Sequence, residues 1–213
     1  MQKLKKSCGL LLASSFIVVS AHAQNTILFN SLGGRPGGSD LIFGAGPIAE
    51  SFSTTSGSLD LVDVIVNLTD GGSVGSGTTT ISLFSNNPSP GGPFPGTLLA
   101  TIGSVSDSQL SSSFQGFNIS LTSPYALAPN TRYWIELSST SSSTAQWAYT
   151  FNGSGVGVAS EFFNNSSGTS PTLSGPYSME VLAAPVPEPS TLAILGLGAF
   201  ALVYTARRKA AAR

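Results

Sequence analysis

Along the stretch LVDVIVNL, residues 61–68, apolar and polar side chains alternate: Val62, Val64, Val66 and Leu68 take one parity, Asp63 and Asn67 the other. Side chains of a strand point to opposite faces with period two, so this pattern predicts a half-buried strand. The pattern recurs. In TISLF it pairs Ile81 with Leu83, and in FNISL it sets Phe117, Ile119 and Leu121 against Asn118 and Ser120. RYWIEL opposes Tyr133, Ile135 and Leu137 to Arg132, Trp134 and Glu136; QWAYTF groups Trp147, Tyr149 and Phe151; YSMEV groups Tyr177, Met179 and Val181. Weaker strand candidates are TILFN, IAESFS, TLLATIG and EFFN. Between these runs lie turn-forming clusters at 33–38, 70–72, 87–92, 128–130 and 152–153, rich in Gly, Pro and Asn. No body segment has a 3.6-residue period and no repeat has a fixed period. Together these features predict an all-β chain, an antiparallel β-sandwich of jelly-roll type over residues 24–183.

Composition narrows the function. Between Gln24 and Pro185 the cations are Arg35 and Arg132, against nine carboxylates, a balance of −7. A nucleic-acid binder needs a basic footprint to neutralise phosphates, and this body has none. The single cysteine is Cys8 and the single histidine is His22, both near the N-terminus. The remainder therefore has no thiolate or imidazole for a nucleophile, a base or a zinc site. No catalytic residue, metal ligand or cofactor is expected.

The two ends differ from the body. Lys3, Lys5 and Lys6 precede a mostly apolar run, Gly9 to Val19, and Ala21-His22-Ala23 places small residues ahead of Gln24. This is the pattern of a secretory signal helix over residues 1–23, with Ala21, Ala23 and Gln24 at the cleavage point. At the other end Pro187-Glu188-Pro189 leads into the apolar run Leu192 to Ala206, which closes on Arg207, Arg208 and Lys209. We expect residues 184–213 to form a tail with a short C-terminal transmembrane helix. The basic residues would then act as a stop-transfer signal on the cytoplasmic side.

The order Pro-Glu-Pro, apolar helix, basic end resembles the PEP-CTERM sorting signal of Gram-negative bacteria, a segment that also carries the label of an ice-binding protein C-terminal domain. The resemblance implies handling by an exosortase, export through the inner membrane, a transient or retained C-terminal anchor there, and a destination at the cell surface or in the exopolysaccharide matrix. The body resembles the choice-of-anchor exported bacterial domains, most like the R type. The likeness rests on ISLFSNNPSPGGPFPGTLLATIG and YALAPNTRYWIELSS, with Pro95-Gly96, Thr131, Tyr133-Trp134 and Trp147 as markers. That family implies architecture and destination, not an activity.

Within the body, each carboxylate reads first as a solvated surface group. A glycan-cleaving pair needs two carboxyls about 5–10 Å apart across one bond. Asp60 and Asp63, three apart, are expected on opposite strand faces, and Glu136 with Glu161 is a second pair to weigh. Trp134 shares its parity with Arg132 and Glu136, which makes it the candidate for an exposed ring that stacks on sugar, whereas Trp147 is expected in the core. Calcium ligation at Asp60, Asp63, Asp70 or Asn164-Asn165 is a further option, without a recognisable calcium loop. The leading expectation is a non-enzymatic exported protein of structural or adhesive type. The alternatives are a carbohydrate-binding module that recognises exopolysaccharide and a carboxylate-based glycan-acting enzyme.

Overall fold

The computed structural model describes residues 24–90, 92–186 and 189–211. The signal segment, with Ala21 and Ala23, and the residues Pro187 and Glu188 lie outside the described residues; Gln24 is exposed.

Among the described residues twelve strands form two antiparallel sheets of six. The first runs β1 (Thr26–Asn30), β12 (Met179–Pro185), β4 (Leu59–Thr69), β9 (Gln146–Thr150) and β2 (Pro36–Leu41), with β7 (Gln115–Leu127) also paired to β4. At Leu68 the partners of β4 are Gln115 of β7 and Trp147 of β9, so β7 lies along one edge while β12 and β9 share the other. The second sheet runs β11 (Gly168–Pro171), β10 (Phe162–Asn165), β3 (Ile48–Ser53), β8 (Arg132–Ser139), β5 (Thr78–Ser89) and β6 (Gly92–Ser106). Phe29, Val64, Val66, Trp147, Met179 and Val181 from one sheet and Ile48, Phe52, Ile81, Leu83, Ile135 and Leu137 from the other are fully buried in one core. The packing is sandwich-like: each sheet turns one parity of its side chains inward.

The period-two reading holds in β8, where Tyr133, Ile135 and Leu137 face the core, and in the run Tyr177, Met179, Val181. In β4 it needs a correction. The buried positions are Leu59 and Leu61, then Val64, Val66 and Leu68, and the pairing register shifts between Leu61 and Asp63. Val62 is the extra residue of a bulge, which resets the phase. Asp60 and Asp63 therefore both take non-core positions instead of opposite faces.

The turn expected at 33–38 also proves partly extended, since Pro36, Gly37 and Gly38 belong to β2. Likewise the turn expected at 87–92 is partly strand: Pro88 pairs with Pro93, and Ser89 with Gly92, leaving Pro90 in the turn. β8 pairs with β5 only as far as Ser85. Beyond that point neither hairpin strand needs its outer N–H, and proline is tolerated. The β5–β6 tip then reaches across the sheet. A Cβ on Gly92 would lie 3.9 Å from Thr169 of β11, four strands away from β5. The hairpin therefore arches over the outer face of its own sheet.

Besides the single helical turn α1 (Ile42–Ala45), the helix α2 (Pro189–Ala211) forms near the C-terminus, where the apolar run predicts one. However, no helix among the described residues is long and apolar enough to cross a membrane. The expected transmembrane helix therefore fails, and with it the C-terminal membrane anchor and the inner membrane as its partner. The physical reason is length. The apolar run 192–206 covers roughly 22 Å as a helix, against about 30 Å of bilayer core. Pro189, Ser190 and Thr191 at one end and Arg207, Arg208 and Lys209 at the other do not extend it.

Candidate functional site

Both tryptophans are fully buried. Trp147 stacks on Tyr177, with ring centroids 4.7 Å apart at 18°, and its Nε1–H donates to the Ser178 carbonyl at 3.0 Å. Trp134 does lie on the outer face, opposite Ser51 and Phe84, as its parity predicts. The arching β5–β6 hairpin roofs it, and its Nε1–H donates to Asn86 Oδ1 at 3.0 Å. It offers no ring surface to a glycan, so the stacking platform expected at Trp134 is absent.

Three of the nine body carboxylates are not solvated. Asp107, Glu161 and Glu50 are buried. Glu161 Oε2 accepts from Arg132 Nε at 2.9 Å and from the Ser51 hydroxyl at 2.6 Å, while the Arg132 guanidinium lies over the Phe162 ring at 5.0 Å. Glu136 sits apart on β8, paired with Ala49 and Ser82, and burial raises its pKa. The cleft beside Glu161 is lined by Ile27, Leu28, Ser53, Thr55, Val156, Gly157 and Ser160, with no second carboxylate. Two of the calcium candidates serve turns: Asp70 Oδ1 accepts from the Gly72 N–H and Asn165 Oδ1 from the Ser167 N–H, while Asp60 and Asp63 lie on β4. Among the described residues no three His, Cys, Asp or Glu side chains converge.

A different constellation forms where the edges of the two sheets approach each other. β2 and β9 contribute Asp40 and Tyr149, β10 contributes Phe163 and Asn165, and Gly175 and Tyr177 close a cleft of about 240 Å³. The Tyr177 hydroxyl donates to Asp40 Oδ2 at 2.6 Å, and Asn165 Nδ2 approaches the same hydroxyl at 3.4 Å. Tyr177 is held from three sides: by Trp147, by the edge-on ring of Phe163 at 5.9 Å, and by its own N–H, which donates to Glu50 Oε2 at 2.8 Å. Burial, then the hydrogen bond to Asp40, raises the Tyr177 pKa, so the phenol keeps its proton. Glu50 is fully buried behind Tyr177, and its Oε1 has no hydrogen-bond partner among the described residues. Burial pushes its pKa well up; the Tyr177 N–H opposes this and nearby Glu161 adds to it.

Sequence reasoning did not single out this cleft. Two signals were present. Glu50 lies on the apolar parity of IAESFS, with Ile48 and Phe52, and Tyr177 and Tyr149 carry a polar tip at core parity, where such a tip needs a partner.

Pro185 pairs with Leu59 at the end of β12, and the Val186 N–H donates to the Ser58 carbonyl at 3.1 Å. Pro189 already opens α2, whose Arg207 and Arg208 are exposed. Residues 185–209 match the family model of the PEP-CTERM protein-sorting motif. The match spans Pro187, Glu188 and Pro189 and the basic residues Arg207, Arg208 and Lys209, so the chain carries a PEP-CTERM sorting motif. No curated protein matches the chain.

Proposed function

We propose that this is an exported, non-enzymatic protein of structural or adhesive type, working at the cell surface or in the extracellular matrix and delivered there through exosortase recognition of its tail. The observation that carries the reading is the sorting motif at residues 185–209. Its position supports the same reading. The motif begins at the last paired residue of β12, a strand flanked by β1 and β4. Cleavage after that residue would leave every strand of both sheets intact, as a cargo whose address is used once requires. The body adds a surface poor in charge and a balance of −7 between Gln24 and Pro185.

The test is replacement of Pro187, Glu188 and Pro189 by alanine in the full chain, followed by surface labelling and analysis of the processed and unprocessed forms. The surface-labelled fraction should fall and an unprocessed form should accumulate in the cells, with the thermal unfolding of the purified variant unchanged. Delivery and processing equal to wild type would refute the sorting role.

A further inference from the structure

We infer that the cleft between β2, β9 and β10 is a saccharide site that takes one neutral sugar ring of a glycan. The inference goes beyond the sorting reading and stands or falls independently of it. A sugar ring presents two kinds of surface, an apolar C–H face and a rim of hydroxyls. The cleft offers a counterpart to each. Tyr149 and Phe163 are half-buried aromatic rings that line it, and Asp40, Asn165 and the Tyr177 hydroxyl are polar groups that converge on it. This combination of aromatic walls with a few placed polar groups is how small-ligand sites obtain affinity and orientation.

The site is built, not incidental. Tyr149 lies against the β2 backbone at Gly37 and Gly38. A Cβ on Gly37 would come within 2.8 Å of Tyr149 Cε2, and one on Gly38, which has φ +151°, within 2.6 Å of Tyr149 Oη. Two successive glycines weaken a strand, and such glycines mark a close approach; here the space is filled by the aromatic ring. Tyr177 is fixed by Trp147, Phe163 and Glu50, so its hydroxyl costs no ordering on binding. Asp40 uses Oδ2 for Tyr177, and among the described residues its Oδ1 has no hydrogen bond, leaving an acceptor for sugar hydroxyls.

Size and charge set the class of ligand. About 240 Å³ is below the roughly 300–1,000 Å³ of sites for drug-sized molecules, which limits the cleft to a single ring. Among the described residues no cation lines it and Asp40 does, which disfavours uronates and sugar phosphates. A quaternary ammonium between a carboxylate and aromatic rings is the competing chemistry.

Saturation-transfer NMR on the full exported chain distinguishes these. The probes are the methyl glycosides of glucose, galactose and mannose, a uronic acid and tetramethylammonium, each measured on wild type, Asp40→Asn and Asn165→Ala. Saturable transfer to at least one neutral glycoside is expected, weakened about tenfold or more in Asp40→Asn and reduced in Asn165→Ala, with both melting curves close to wild type. The second variant carries the test if the first fails to fold. The inference is overturned if no neutral glycoside receives saturation, if both variants bind as wild type does, or if tetramethylammonium or the uronic acid binds in preference.

Discussion

Removing the carboxylate of Asp107 should destabilise the protein by about 3–5 kcal/mol. Asp107 opens a short 3₁₀ turn, Asp107–Gln109, at the end of β6, where Ser106 and Gln109 cap each other. Its carboxylate is buried and joins three segments distant in sequence. Oδ2 accepts from the Gly77 N–H and the Thr144 N–H, each at 3.0 Å, and Oδ1 accepts from the Ser143 hydroxyl at 2.7 Å. Asp107→Ala leaves two backbone donors and a hydroxyl without an acceptor, at about 1–3 kcal/mol for each buried group. Water can reach the half-buried Thr144 side, so values toward the low end of that range apply and the three together come to about 3–5 kcal/mol. With a urea slope of about 2 kcal/mol/M, the unfolding midpoint should fall by about 1.5–2.5 M. Ser143→Ala removes one of the three bonds and should cost about 1 kcal/mol. The reasoning is refuted if Asp107→Ala lies within about 0.5 kcal/mol of wild type, or costs no more than Ser143→Ala.

Two further predictions follow from the cleft and its support. Folded Glu50 holds its proton more tightly than the ordinary value of 4.5, so its contribution to stability is complete below that pH and is lost as pH rises toward the folded pKa, because only the unfolded chain releases the proton. Glu50→Gln keeps an acceptor for the Tyr177 N–H and should therefore be more stable than wild type at pH 8. The two melting temperatures should converge near pH 4, and a constant difference from pH 4 to 9 would show that Glu50 is not the titrating group. Gly38→Ala puts a side chain at a positive φ and against Tyr149 Oη, so it should cost about 1–2 kcal/mol. It should also shift the Tyr149 ring resonances, and unchanged resonances would mean that the glycines do not seat the ring.

The sorting tail was legible because it is a linear signal, read in order along the chain. The strands were legible nearly as well, since the parity of RYWIEL or of Tyr177, Met179 and Val181 is a local property of the backbone. The helix of the tail was legible too, and its failure to span a membrane follows from the length of the apolar run 192–206, itself a property of the sequence. The cleft was hidden because its residues come from positions 40, 149, 163, 165, 175 and 177, and no periodicity connects them.

By itself the sequence determined the all-β character, the inward residues of most strands, the basic ends and the address of the tail. Each follows from side-chain period or residue order along one continuous stretch of chain. Only the tertiary structure decided what covers the outer faces. Trp134 is buried because a hairpin 27 residues long, counted over β5 and β6, arches back across its sheet. Asp107 is buried because Gly77 and Thr144 close over it from afar, and Glu50, already on the inward parity, meets its partner Tyr177 only in the fold. Parity states which side of a strand a residue takes. Whether that side meets water, a hairpin or a ligand depends on contacts between segments far apart in sequence, and local pattern carries no record of those.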